Sequence, residues 1–248
     1  MIYTIPRYPV HLIDVVQVAD GSRVTIRPTL PQDMELQRRF FRSLTAESRY
    51  CRFMTQLNEL PESLAEHFAS IDYRSHLALL AEVFEGGRET MIGEARYVVD
   101  ARDPHICEFA VAVADNWQAS GIARTLLDRL ERQAALSGVR SMVADTLLTN
   151  APMIGLARHL GYAVRLSRGG PELARLEKHL NPSAAPRSVR PLAAPEHVTA
   201  AHEQTDEREK TMTVKSNNPE TMVLHAGPRA LEQKMAALEC GVAATSAP

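Results

Sequence analysis

Cysteine and aromatic residues are scarce in this 248-residue chain, and long apolar runs are missing altogether. Cys51, Cys107 and Cys240 are odd in number, widely separated and without a C-x-x-C pair, which argues against a disulfide framework and against a zinc site. Nine histidines are scattered without ligand spacing, so no metal is expected. No stretch is long and apolar enough for a membrane span. The opening MIYTIPRYPVHL lacks the basic start, apolar core and small-residue cleavage site of a secretory signal. A cytoplasmic protein with no membrane partner is expected. The formal net charge of -2, with no Lys/Arg cluster, gives no electrostatic footprint for nucleic acid.

Aromatic residues run out completely from Asn181 onwards, where Pro182, Pro186, Pro191 and Pro195 also crowd together. A segment of that composition buries too little apolar surface to offset its ordering entropy, so 181–248 reads as a mostly disordered tail. Within it, 229–239 has the spacing of one short helix, between Pro228 and Gly241. Residues 1–20 read as an N-terminal arm or edge strand, ending at the Asp20-Gly21 turn.

What is present is concentrated in 21–180, which reads as one α/β domain. Arg23 to Thr29 alternates as a strand, and Pro31 opens a helix with Met34, Leu36, Phe40, Phe41 and Leu44 on one side. Another helix follows Pro61. Between the two, Thr45 to Met54 reads as a loop whose Arg49 and Arg52 stems cover aromatic rings or wall a substrate site. His76 to Glu85 and Thr90 to Val99 form a hairpin across Gly86-Gly87. Val139 to Leu147 is a further strand, Asn150 or Thr149 caps a helix that Gly161 ends, and Tyr162 to Leu166 and Leu173 to Leu176 return as strands.

The most informative stretch is 107–127, CEFAVAVADNWQASGIARTLL. Phe109, Val111 and Val113 alternate with Glu108, Ala110, Ala112 and Ala114, the period of a strand packed on both faces. Asp115-Asn116 breaks it. Ile122, Leu126, Leu127, Leu130 and Ala134 then follow a helical stripe, so a strand feeds straight into a helix N-terminus. The first N–H groups of such a helix lack intrahelical partners and sit at the positive end of its dipole. Ala119, Ser120, Gly121 and Ala123 are small enough to let a phosphate reach them. No G-x-G-x-x-G is present, which disfavours a dinucleotide fold.

Gln118-Ala119-Ser120-Gly121-Ile122-Ala123 resembles the coenzyme A signature of the GCN5-related N-acetyltransferases, Gln or Arg, two residues, Gly, one residue, Gly or Ala. The order of elements over 21–180 resembles that family too. VTIRPT, FFRSLTAESRYCRFM, IDYRSHLALLAE and NAPMIGLARHLGY bring the chain close to the acetyltransferase module of bacterial protein lysine acetyltransferases. The resemblance implies a mixed central sheet flanked by about four helices, with acetyl-CoA as cosubstrate and a primary amine, a protein lysine before a small amine, as acceptor. It further implies pantetheine along the backbone of Val111, Ala112 and Val113, pyrophosphate on the amides from Gln118 through Ile122 and Ala123 to Arg124, and Asn150 on the pantetheine amide. Glu108 matches the position of the family's base, with Asp145 in reserve; its alternative role is pairing with an arginine such as Arg96. Many relatives carry a Tyr seven residues after the Asn, where this chain has Ala157. That leaves the proton donor to the thiolate unassigned and keeps a non-catalytic coenzyme A sensor as the alternative.

Overall fold

The structure is a computed structural model and describes residues 8–18 and 21–181. The tail, and the short helix expected at 229–239, lie outside the described residues. Eight strands form one sheet among those residues: β1 (Asp14–Gln17), β2 (Arg23–Pro28), β3 (His76–Glu85), β4 (Arg88–Val99), β5 (Ile106–Val113), β6 (Ser141–Leu147), β7 (Ala163–Leu166) and β8 (Leu173–His179). Their spatial order is β1-β2-β3-β4-β5-β6-β8-β7. All neighbours run antiparallel except β5 and β6, which are parallel. Five α-helices accompany them: α1 (Met34–Ser43), α2 (Ala46–Phe53), α3 (Glu62–Ala69), α4 (Ile122–Leu136) and α5 (Ala151–His159).

The sheet is covered on both faces, as its near-continuous apolar strands require. On one face lies α4, whose stripe Ile122, Leu126, Leu127, Leu130 and Ala134 is buried to the last atom or nearly so. These side chains meet Leu77 and Leu79 of β3, Ile92 and Ala95 of β4, and Cys107 and Phe109 of β5. At about 1.5–3 kcal/mol for each fully buried large aliphatic, this layer is the main stabilising block of the domain. The opposite face carries α1 and α3. Leu36, Phe40 and Leu44 reach the sheet at Leu80 and Met91, and Phe41 packs with Phe53, Leu64 and Phe68 in a satellite cluster.

Thr45 to Met54, expected as a loop, is a helix. Thr45 caps it by accepting the Ser48 N–H at 3.2 Å, and Met54 ends it in the left-handed region at φ 53°. The two arginines do meet aromatic rings, through their guanidinium groups: the Arg49 guanidinium carbon lies 5.4 Å from the centre of the Phe41 ring, and that of Arg52 lies 4.9 Å from Phe53 and 5.9 Å from Phe68. At the other end of the domain, β1 pairs with β2 along its whole length as the edge strand.

Candidate functional site

The site begins where two neighbouring strands stop pairing. β5 and β6 are in parallel register at Ile106/Ser141, Cys107/Met142 and Glu108/Val143, and then part. β5 continues to Val113 along β4, and β6 continues to Leu147 along β8. Beyond Glu108 the facing backbone edges are left to something other than each other. A cavity of about 800 Å³ opens there, between Ala110 to Val113 on one side and Ala144 to Thr146 on the other.

At the mouth of the wedge the chain turns into α4. Ala119 and Gly121 both have positive φ, 60° and 89°, and two left-handed residues so close together curl successive N–H groups around one point. Gly121 is the N-cap of α4 and no side chain caps the helix, so the amides of Ile122, Ala123 and Arg124 stay open to a ligand. Gln118, Ala119, Gly121, Ile122, Ala123 and Arg124 line the cavity. Ser120 does not; its hydroxyl donates to the Trp117 carbonyl at 2.6 Å.

Glu108 is on the cavity wall at the last position of β5 that pairs with β6, on the face opposite Phe109. Burial pushes its carboxyl up to about 7; the Arg175 guanidinium opposes this and the Asp145 carboxylate adds to it. Arg96 is not its partner. That guanidinium is engaged by Glu94, two residues away on the same face of β4, through Nε at 2.7 Å and Nη2 at 2.8 Å. Asp145 also lines the cavity, but accepts from Arg175 Nη1 at 2.9 Å. Of the two carboxylates considered as bases, Glu108 is thus the one that no arginine among the described residues holds in an ion pair.

Beneath the site is a buried polar group. Burial alone would raise the Glu94 carboxyl, but Arg96 outweighs it and holds it below the usual range. Gln37 Nε2 donates to the same carboxylate at 3.3 Å. His76 is kept neutral, its pKa pushed down to about 3 by burial and by the Arg96 and His67 charges. Since a carbonyl only accepts and a guanidinium only donates, its Nδ1–H donates to the Ser70 carbonyl at 2.8 Å and its Nε2 accepts from Arg96 at 3.3 Å.

Asn150 lines the cavity and is also the cap of α5: Oδ1 accepts the Met153 N–H at 3.2 Å, and Nδ2 donates to Thr146 Oγ1 at 3.3 Å. Ala157 is fully buried in the core. Tyr97 and Tyr162 do not supply the hydroxyl it lacks, because both rings are core residues away from the cavity wall and the Tyr97 hydroxyl donates to the Arg74 carbonyl at 3.1 Å.

Sequence reasoning missed how α2 is joined to this site. Asp115, in the turn after β5, accepts from the Thr45 N–H at 2.9 Å, Thr45 Oγ1 at 2.9 Å and Ser48 Oγ at 2.6 Å, and Gln118 Nε2 donates to Ser48 Oγ at 3.3 Å. Burial raises the Asp115 carboxyl, and these hydrogen bonds outweigh it and hold it below the usual range. The clasp sets the N-terminal end of α2, with Cys51 and Arg52 beyond it, against the cavity. The one signal in the sequence was a Thr-x-x-Ser cap.

Comparison with known proteins agrees with this geometry. The model of the Acetyltransferase (GNAT) family matches residues 39–162. An acetyltransferase of Pseudomonas aeruginosa is 32% identical over 143 residues, which is 58% of this chain and 76% of that protein. Acetyltransferase Pat of Mycolicibacterium smegmatis is 30% identical over 146 residues, 59% of this chain; the chain spans only 43% of Pat. Among solved structures, the GNAT domain of S. lividans PAT superposes with a TM-score of 0.64 at 28% identity, covering 70% of this chain and 100% of that domain. The parted strands, the uncapped helix entry and the matched sequence lead to one conclusion: the chain belongs to the GNAT family of acetyltransferases.

Proposed function

We propose that the wedge between β5 and β6 binds acetyl-CoA and that the protein transfers the acetyl group to a primary amine, a protein lysine, by direct attack in a ternary complex. The observation that carries this reading is the end of β5–β6 pairing immediately after Glu108, above an uncapped helix N-terminus. Free backbone groups of Val111, Ala112 and Val113 suit the amides of pantetheine, and the amides from Gln118 to Arg124, with Asn150 on the opposite wall, suit the rest of coenzyme A. Acetyl-CoA supplies a thioester carbonyl to which the amine adds as the carbon–sulfur bond breaks.

Glu108 is the base in this reading. An ammonium has no lone pair to attack with, so its proton must leave first, directly or through a water. A carboxylate titrating near 7 is both ionised at neutral pH and basic enough for that task. A β5 amide donates to the carbonyl oxygen as negative charge gathers there. Lysine as the acceptor rests on the residues shared with bacterial protein lysine acetyltransferases. Ala157 favours a second reading, a coenzyme A sensor that does not turn over, since the core at that position offers no hydroxyl to the departing thiolate.

Calorimetric titration with acetyl-CoA, together with thiol release against lysine peptides and small amines, tests the proposal. Binding with amine-dependent thiol release is expected. Binding without release from any acceptor would favour the sensor, and no binding would refute the wedge as the coenzyme A site. The helix entry has its own check. Gly121→Val places a branched side chain at φ 89° in otherwise open space, so the amide turn must re-form. Acetyl-CoA affinity is expected to fall about tenfold or more, from the loss of one or two charge-assisted hydrogen bonds. Gly138→Val, at φ 92° beyond the far end of α4, should cost comparable stability and leave affinity unchanged.

A further inference from the structure

Arg52 is a positive charge that the fold does not account for. It lies in the last turn of α2 and lines the same cavity as Glu108. Among the described residues no carboxylate oxygen comes within 4.0 Å of its nitrogens, and none accepts a hydrogen bond from it. Its contacts are the faces of Phe53 and Phe68. The nearby acids are already committed: Glu94 to Arg96, Asp145 to Arg175, and Glu108, in the reading above, to the acceptor's proton. Burial lowers the Arg52 pKa to about 10, with Glu94 and Glu108 opposing and Arg96 adding to the shift. The side chain is half-buried, its guanidinium set between two ring faces and the open cavity with no carboxylate among the described residues to neutralise it.

We propose that Arg52 is a carboxylate-binding residue of the transfer site, its planar guanidinium taking up a carboxylate that the substrate carries into the cavity beside Glu108. The assignment rests on the acyl-transfer reading of the site and specifies its substrate class. Such a carboxylate has two possible sources: an acidic group close to the acceptor amine, or the far end of a dicarboxylic acyl chain on coenzyme A. Either brings two acceptor oxygens that match the guanidinium fork and neutralise its charge.

The test uses the full chain and reads ratios of kcat/KM. In one arm, acetyl-CoA is the donor and acceptors are paired: lysine peptides flanked by glutamate or glutamine, and a free amino acid against its carboxamide. In the other, a neutral acceptor is fixed and succinyl-CoA is compared with butyryl-CoA. The wild type is expected to favour the carboxylated member about tenfold or more in one arm, which identifies the source. Arg52→Gln should bring that ratio close to one. Arg52→Lys, which keeps the charge and loses the fork, should leave it in between and serves as the readout if Arg52→Gln does not melt cooperatively. Ratios near one in both arms of the wild type, or a preference that survives in the variants, would overturn the assignment. Failure of the wild type to release thiol with any pair would overturn the acyl-transfer reading as well.

Discussion

Replacing Glu108 by glutamine is expected to lower kcat for amine acetylation about 10²- to 10³-fold while leaving acetyl-CoA affinity within twofold of wild type. The two readouts separate because glutamine keeps the shape of the side chain at the close of the β5–β6 register and removes only its ability to take a proton. Stability should move the opposite way. Burial raises the Glu108 carboxyl to about 7 in the folded protein, against about 4.3 in an unfolded chain. Between those values the native state holds a proton that the unfolded state has released, so stability falls as pH rises through the window and the loss is complete above about 7. At pH 8 the Glu108→Gln protein should therefore be more stable than wild type, by on the order of 2 kcal/mol. Lower activity with higher stability is the mark of a functional carboxylate in an unfavourable place. A purely structural acid would give a loss of both.

Glu94→Ala is expected to have the largest effect on stability. Arg96 is buried and donates two hydrogen bonds to Glu94, with the centre of the Phe68 ring 3.6 Å from its guanidinium carbon. Without the carboxylate, a charged guanidinium would remain in the core facing only a neutral histidine and a ring, and Gln37 would lose its acceptor as well. The cost of breaking such a buried pair is about 3–5 kcal/mol. For a domain of this size that lowers Tm by roughly 10 °C, which a thermal melt will read. Removing both charges together, as Glu94→Leu with Arg96→Met, should recover most of the loss, since the pair itself contributes little net stability. The pH dependence has a definite sign. The folded Glu94 carboxyl titrates below its unfolded value, so its contribution is complete above the unfolded pKa and disappears as pH falls through the depressed folded one. Glu94→Ala should flatten that acid limb.

β5 and α4, which flank the wedge, were legible in the sequence because their signals are local. Every residue in the α4 stripe from Ile122 to Ala134 is buried, and the alternation along β5 sorts Phe109 into the core and Glu108 into the cavity. α2 was not legible. Within Ala46–Phe53 only Phe53 is buried, so the helix has almost no apolar periodicity of its own. It is held by rings from α1 and α3 and by Asp115, 70 residues from Thr45 in the chain. The alternative pairing of Glu108 with Arg96 fails for a different reason. Residues two apart on a strand share a face, and Glu94 was available by that rule, whereas Glu108 lies on another strand with its carboxyl toward the wedge. A cavity assembled from α2, β5 and β6 is a property of tertiary contacts, and so is the uncommitted charge of Arg52.

The central claim is that Glu108, at the point where β5 and β6 part, is the base for an amine acceptor. The most direct measurement is the ratio of kcat for wild type to that for Glu108→Gln across pH 5.5 to 9, with a saturating acceptor. Taking the ratio cancels the titration of the amine itself. A carboxylate of pKa about 7 predicts a ratio that climbs close to tenfold per unit at the acid end and levels off above neutrality. A ratio that stays flat over the whole range would contradict it.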